Sequence, residues 1–394
     1  MLLNTLREII EDQESMLSGK FLARTKTIPQ SGLIIVISGI RRCGKSTLMK
    51  LLLKKDSKMA YINFEDLRLS SFGLDDFLKL ETIFKENDST VFCFDEIQNI
   101  PEWEKYVRSA HEKGINIIVT GSNSSLLSRE LGTKLTGRYV QIELFPFSYE
   151  EFLRYKKLEA GPESLKIYLK QGGFPEYINH NFKEYLQTLL RDIVLRDIVV
   201  RRKIRNEKVI LELALYILSN TGKLFSYNNV SNLLNIKSTR TTIDYCDYLQ
   251  DAYLIHLVPK YSFSIKKQIS NQKKAYCVDN GLINTNTLSF SKDSGRMLEN
   301  IVFQQLRRNY NEIYYHKEKN ECDFLVKEGR EIIRTIQVCW EVNGDNMKRE
   351  IDGIKEAMQY HKNADGEIIT FNQEDEIDGI SLIPAWKWLT LTSQ

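Results

Sequence analysis

A chain of 394 residues with 42% hydrophobic and 27% charged residues is long enough for two or three domains, and its composition argues against extensive disorder. Its formal net charge of +3 is close to neutral at this size, so global charge does not impose a polyanionic partner and any basic surface must be local. The six cysteines are scattered without a Cys-x-x-Cys pair, no apolar run reaches membrane-spanning length and the N-terminus is not leader-like, which argues against a zinc site or disulfide framework and predicts a cytoplasmic protein without membrane contact.

Residues 2–16 place Leu2, Leu6, Ile9 and Ile10 at helical spacing among acidic residues, as in an amphipathic helix. Leu33-Ile34-Ile35-Val36-Ile37-Ser38 is a β-branched run of the kind buried on both faces of a parallel sheet, and residues 46–55 read as a helix. Between them, Gly39-Ile40-Arg41-Arg42-Cys43-Gly44-Lys45-Ser46, continued by Thr47, fits G-x-x-x-x-G-K-[ST] at every fixed position. Strand, glycine loop and helix direct backbone N–H groups at one point, which suits the β- and γ-phosphates of a nucleotide. In this pattern Lys45 reaches the phosphates as a point charge and the Ser46 hydroxyl ligates Mg²⁺.

Strands and helices keep alternating to residue 150. Residues 59–64, 90–94, 116–120 and 139–144 complete a five-stranded parallel core. The run 90–94 ends in Asp95-Glu96, at the strand edge where open α/β sheets bind ligands. Asp95 is expected to hold hydrated Mg²⁺ and Glu96 to polarise the attacking water. After the next strand comes Gly121-Ser122-Asn123; Asn123 is the candidate γ-phosphate sensor, a role compatible with helix capping by Ser122 or Asn123. Two readings fit Arg138: it neutralises transition-state charge, in its own subunit or in a neighbour of a homo-oligomer, or it forms a surface ion pair. Arg129 competes for the catalytic task.

The set GIRRCGKST, YINFEDLR, VFCFDEIQNI, TGSNSSLLS, LTGRYVQIELFPFSYEEFL and GGFPE resembles a large archaeal and bacterial family of AAA-superfamily ATPases. Members of that family pair the ATPase with a C-terminal domain of unknown function similar to the PD-(D/E)XK nuclease fold. The resemblance implies an ASCE-type ATPase that uses ATP and Mg²⁺, with Asp95 and Glu96 in the roles above.

After the ATPase core with its N-terminal helix (residues 1–150), residues 151–206 are helical in pattern and read as a lid, broken at Gly161-Pro162 and at Gly172-Gly173-Phe174-Pro175-Glu176. Charges within 190–202 suit solvated i,i+4 pairs or interdomain contacts, with a nucleotide-sensing arginine among them as the alternative. Residues 207–275 read as a winged helix: three helices, the third opening at Ser238, and a β-ribbon including a strand over 252–258. Lys237, Arg240 and Thr241, helped by Lys260, Lys266 and Lys267, are its candidate DNA contacts. Asp244, Asp247 and Asp251 on the same helix repel phosphates, and such a unit also serves as a rigid connector.

In residues 276–394, a helix (297–307), a hairpin (313–316 and 322–326), a strand (331–340) and a helix from Met347 follow the order of the nuclease-like core. Active members of that fold carry an acid on the first helix, an Asp on the second strand and E-x-K on the third. Glu299 and Asp323 stand at the first two places, but the third strand reads Gln337-Val338-Cys339. Gln weakens metal binding and Cys lacks the lysine's charge, so a degenerate site that binds or docks without cutting is expected. Glu341, Lys317 and Lys319 leave a migrated site open.

The expected architecture is α/β: a P-loop NTPase parallel sheet with a helical lid, then a winged-helix domain and a restriction-endonuclease-like α/β domain. The expected function is Mg²⁺-dependent ATP binding and hydrolysis coupled to rearrangement of those modules, with DNA as a potential target. A slow nucleotide-operated switch that recruits a protein partner, and an ATP-gated nuclease, are the alternatives.

Overall fold

Five short apolar strands, β1 (Ile34–Ser38), β2 (Met59–Asn63), β3 (Val91–Asp95), β4 (Asn116–Gly121) and β5 (Tyr139–Glu143), pair in parallel in the order β2-β3-β4-β1-β5. The computed structural model describes residues 1–15, 21–29, 31–122, 135, 137–287, 294–361 and 364–391, which divide into two compact units, Met1–Phe145 and Pro146–Gln394. No helix among them is long and apolar enough to cross a membrane.

In the first unit, β1 is buried along its whole length, as its Ile/Val run requires. One face of the sheet carries an aromatic cluster that includes Phe64, Phe77, Phe94 and Tyr106, with Phe77 stacked on Tyr106 at 4.4 Å between ring centroids. Helices α1 (Leu3–Ser15), α2 (Lys45–Leu53), α3 (Asp76–Glu86) and α4 (Trp103–Glu112) alternate with the strands. Leu6, Ile9 and Ile10 of α1 join the same core, each contributing roughly 1.5–3 kcal/mol of hydrophobic burial. Because β4 lies between β1 and β3, the loop after β1 and the acids after β3 stand two strand spacings apart, roughly 10 Å. That gap at the carboxyl edge of the sheet is the size of a phosphate chain with its coordinating groups.

The second unit begins with α5 (Tyr149–Lys156), α6 (Pro162–Gln171), α7 (Pro175–His180) and α8 (Lys183–Asp192), the last running on as a π-helix over Ile193–Val200. The expected i,i+4 pairs are present: Arg196 to Asp192 at 3.3 Å and Arg201 to Asp197 at 3.7 Å. The break at Gly172-Gly173 has a packing cause. Asp279 Oδ2 accepts from the Gly173 amide at 2.6 Å, and a Cβ on Gly172 would lie 2.2 Å from Asp279 Oδ1.

Next come α9 (Glu207–Ser219), β6 (Leu224–Phe225), α10 (Tyr227–Leu233), α11 (Thr239–Asp251), β7 (Ile255–Pro259), α12 (Ile265–Ser270) and β8 (Lys273–Cys277), the strands pairing antiparallel in the order β6-β8-β7. The strand expected to start at Ala252 starts at Ile255, because Ala252 caps α11 and Tyr253 turns the chain through a left-handed φ of 58°. Then α13 (Asn280–Asn286) and α14 (Ser294–Asn309) precede β9 (Glu312–Lys317), β10 (Glu321–Glu328) and β11 (Glu331–Cys339), followed by α15 (Met347–Tyr360), β12 (Asp365–Thr370), β13 (Asp375–Ile377), β14 (Ile380–Pro384) and α16 (Ala385–Leu391). Strands β9, β10 and β11 are antiparallel, β12 joins β11 in parallel, and the six-stranded order is β13-β14-β12-β11-β10-β9.

Candidate functional site

The loop after β1 turns on glycines that no other residue replaces without strain. Gly39 has φ 145° and a Cβ there would lie 2.1 Å from the Leu144 carbonyl oxygen; Gly44, at φ 103°, begins α2. The Lys45 ammonium curls back over this loop, donating to the Gly39 and Ile40 carbonyls at 3.1 and 3.2 Å, and stands 3.8 Å from Glu96 Oε1. It is 4% exposed. From the segment before β1, the Arg24 guanidinium ties the loop down, donating to the Cys43 carbonyl at 2.9 Å and the Phe145 carbonyl at 2.7 Å.

Asp95 ends β3 fully buried, and three hydroxyls converge on it. Tyr61 donates to Oδ2 at 2.8 Å, Thr120 at the end of β4 donates to Oδ1, and Ser46 is a further hydrogen-bond partner. Burial pushes the Asp95 carboxyl above its usual range, the hydroxyl of Thr120 pulls it back, and Glu96 adds to the rise. A nearby dication would relieve that destabilised anion. The Ser46 hydroxyl and the Asp95 carboxylate are adjacent hard-oxygen donors, the set that suits Mg²⁺, which keeps most of its waters; the residues present therefore fit the ion.

Glu96 sits at φ 51°, ψ 43°, a left-handed conformation that is uncommon outside glycine and that clusters at functional sites. Its amide donates to Thr120 Oγ1 at 2.9 Å, and its carboxylate accepts from Gln98. Glu65, just beyond β2, is raised by burial and by the Glu96 charge and lowered by Arg41, whose Nη1 is 3.7 Å from Glu65 Oε1. The structure thus brings Gly39, Ile40, Lys45, Ser46, Asp95 and Glu96 to one edge of the sheet.

Residues 31–153 match a family described as "AAA domain", and residues 162–293 match a "Domain of unknown function (DUF8612)". The chain is 38% identical to an uncharacterized protein of Methanocaldococcus jannaschii, over 92% of this chain and 89% of that one. It is 31% identical to an uncharacterized protein of Haemophilus influenzae, over 90% of this chain and 94% of that one. The chain belongs to the AAA-domain family. Its P-loop and acidic pair lie within the AAA match, and nucleotide binding is what that family supports.

Within this AAA domain, one of the expected residues, Arg138, is not at the loop. Asn123, and Arg129, the competitor of Arg138, lie outside the described residues, while Ser122 is buried with no hydrogen-bond partner for its hydroxyl among the described residues. Arg138 precedes β5, and β5 runs parallel to β1 with Tyr139 opposite Ile34. It therefore stands at the amino edge of the sheet, the end remote from Gly39, where it pairs with Glu112 at 3.0 Å. A role at its own phosphate loop does not fit that position. The residues that sequence reading missed are Thr120, Tyr61, Gln98 and Arg24. Thr120 left at most the trace of a polar residue near the end of a buried strand, and the other three left none.

In the second unit, Glu299 of α14 and Asp323 of β10 are brought together, and so is a residue that was not expected, Lys274 of β8. Its ammonium lies 2.7 Å from Asp323 Oδ1, 2.8 Å from Glu321 Oε1 and 3.3 Å from Glu299 Oε1. Gln337 stands beside the cluster, accepting from the Asp323 amide at 3.1 Å and donating to Glu350 Oε2 at 2.7 Å. Of the alternative residues, Lys317 pairs with Glu321 Oε2 at 2.9 Å. Of the candidate DNA contacts, Arg240 is paired with Asp244 at 3.1 Å and Lys260 with Glu318 at 2.8 Å.

Proposed function

We propose that the protein is a Mg²⁺-dependent ATPase whose turnover rearranges its C-terminal modules. The observation that carries this reading is the meeting of Lys45 with Glu96, 3.8 Å apart, beside a buried Asp95 that shares a hydrogen bond with Ser46. Phosphate positioning, metal ligation and water activation are the three tasks of phosphoryl transfer, and each has a group within that edge of the sheet.

The backbone N–H groups of the 39–47 loop would cradle the β- and γ-phosphates, with Arg41, Arg42 and Cys43 contributing main chain and Lys45 its charge. Ser46 and Asp95 would hold the Mg²⁺, which when bound neutralises charge on the bridging phosphate oxygens. The Glu96 carboxylate would take the proton of the attacking water. Thr120 fixes Asp95 and Glu96 relative to one another, so neither needs to reorganise as charge develops. Asn123 remains the proposed γ-phosphate sensor. Arg138, at the far edge, could serve only a neighbouring subunit of a homo-oligomer.

For the second unit, the order helix, strand, helix, helix, strand, strand, with the short α12 inserted between the last two strands β7 and β8 and with sheet order β6-β8-β7, supports the winged-helix reading. The order α14, β9, β10, β11, α15, β12, with β11 parallel to β12, supports the restriction-endonuclease-like one. The pairing of Arg240 and Lys260 with acids favours connection over DNA contact for the winged helix, and so supports a nucleotide-operated switch that recruits a protein as the second reading.

The test is a pair of variants assayed for nucleotide binding and turnover. Lys45→Ala should lose nucleotide binding, whereas Glu96→Gln should bind ATP and fail to hydrolyse it. Normal hydrolysis by Glu96→Gln would sink the assignment. Strong stimulation of the wild-type rate by DNA would remove the protein-switch reading.

A further inference from the structure

The strongest unassigned feature is the buried cluster in which one ammonium meets three carboxylates. Lys274 is 2% exposed, and it lies on the central strand of the β6-β8-β7 sheet, opposite Leu224 on one side and Val258 on the other. Successive side chains of a strand alternate faces, so Lys274 and Tyr276 share one. Both reach the same acid, the Tyr276 hydroxyl donating to Glu299 Oε1 at 2.6 Å.

The donors of the ammonium are used up. An ammonium has three protons, and Asp323, Glu321 and Glu299 stand around it within 3.3 Å, one for each. Two of the remaining oxygens are also engaged. Asp323 Oδ2 accepts from the Val338 amide at 3.0 Å, and Glu321 Oε2 pairs with Lys317 at 2.9 Å. Glu299 Oε2 faces Gly222, where a Cβ would come within 3.0 Å of it. A buried lysine is costly unless paired and hydrogen-bonded in this way. Burial works against its charge, but Asp323, Glu299 and Glu321 outweigh that cost and hold the proton well above the usual lysine range.

We infer that Lys274 is a built-in counter-ion that closes the Glu299, Glu321 and Asp323 carboxylates to divalent cations and fastens the three-stranded sheet to α14 and β10, so that this unit docks and does not cut. The cation position is filled from within the chain. A Mg²⁺ ion needs an octahedron of oxygens at roughly 2.1 Å, and here the shared point between the acids is taken by a nitrogen that would repel it. The absent lysine of the β11 strand, where Cys339 stands, is not replaced by Lys274, whose protons are all committed to carboxylates. The inference rests on the nuclease-like reading of this unit and is independent of the ATPase reading.

The experiment uses the full chain without nucleotide, titrated with Mn²⁺ and followed by the paramagnetic resonance of the free ion, alongside cleavage of supercoiled DNA in Mg²⁺. Wild type, Asp323→Asn, Lys274→Met and Lys274→Met/Asp323→Asn are compared. Expected are the same Mn²⁺ uptake by wild type and Asp323→Asn, no cleavage by either, and additional stoichiometric uptake by Lys274→Met that the second substitution abolishes. A folded Lys274→Met protein with no additional uptake overturns the inference, as does uptake or DNA cleavage by wild type that Asp323→Asn removes. If Lys274→Met does not fold, Lys274→Gln, which keeps a hydrogen-bond donor without the charge, takes its place, and a folded Lys274→Gln protein with no additional uptake overturns the inference. ATP hydrolysis is measured on the same preparations; its absence from wild type would count against the ATPase reading and leave the Mn²⁺ comparison standing.

Discussion

The Thr120 hydroxyl donates to Asp95 Oδ1 while accepting the Glu96 amide at 2.9 Å, so one side chain at the end of β4 sets the position of both acids at the end of β3. The strand order makes this possible, since β4 is the strand between the phosphate loop and the acidic pair. Thr120→Val keeps the shape and removes the hydroxyl, leaving a fully buried Asp95 oxygen short of a donor. A hydrogen bond to a charged group contributes about 1.5–3 kcal/mol, which, if it is all expressed in the transition state, corresponds to a fall in kcat of roughly 10- to 100-fold. ATP affinity should change much less, because the phosphate cradle is untouched. Steady-state kinetics beside equilibrium nucleotide binding check this; a kcat within twofold of wild type would remove Thr120 from the machinery.

The phosphate loop was legible because its glycines and lysine recur at fixed spacing between a strand and a helix, and Asp95-Glu96 because two acids ending a buried strand, common enough alone, follow such a loop about fifty residues on. Thr120 was harder to see: one hydroxyl at a strand end has no pattern, and its meaning comes from a neighbour 25 residues away in sequence. Two readings of Arg138 were open, and topology favours the ion pair over a role at its own loop. A residue that enters a parallel strand lies at the edge opposite the residues that leave it, so the start of β5 could not face the end of β1. Lys274 was invisible, since its partners Glu299, Glu321 and Asp323 come from α14 and β10, far along the chain.

Gly39 tests whether the loop is held by backbone contact. An added methyl would lie 2.1 Å from the Leu144 carbonyl oxygen, a main-chain atom that cannot rotate away, at a φ of 145°. Backbone strain alone costs of order 1–3 kcal/mol, and the clash adds to it. Gly39→Ala is expected to lower the melting temperature and abolish nucleotide binding. Gly32→Ala is the control, because nothing lies within 4 Å of its added Cβ. Equal melting temperatures for the two variants would show that the close approach does not constrain the loop.

Arg138 and Glu112 form a pair whose side chains are 37% and 49% exposed. Surface pairs of this kind contribute about 0–1 kcal/mol. Arg138→Ala should therefore leave stability nearly unchanged, and it should leave kcat unchanged at protein concentrations where the chain is monomeric. A loss of turnover that appears only as the chain self-associates would mark a contribution to a neighbouring subunit. Loss at every concentration would contradict the placement at the remote sheet edge.

Asp279 predicts a pH dependence of stability in the second unit. Burial pushes its carboxyl from 3.8 up to about 7, although the amides of Gly173, Gly281 and Leu282 and the nearby Arg308 draw it partly back. The acid is therefore protonated in the folded chain over a range where it is ionised in the unfolded one. The folded state holds the extra proton between about pH 4 and pH 7, so stability from this group is complete below that window, falls as pH rises through it and is flat above. The full change is at most roughly 4 kcal/mol. Burial also raises Glu299, so its slope overlaps the same window. Urea unfolding at a series of pH values should show stability declining from pH 5 to pH 7 in wild type, and a shallower decline in Asp279→Asn whatever its absolute stability. Parallel profiles for the two proteins would mean that Asp279 is ionised throughout, held by its three backbone donors.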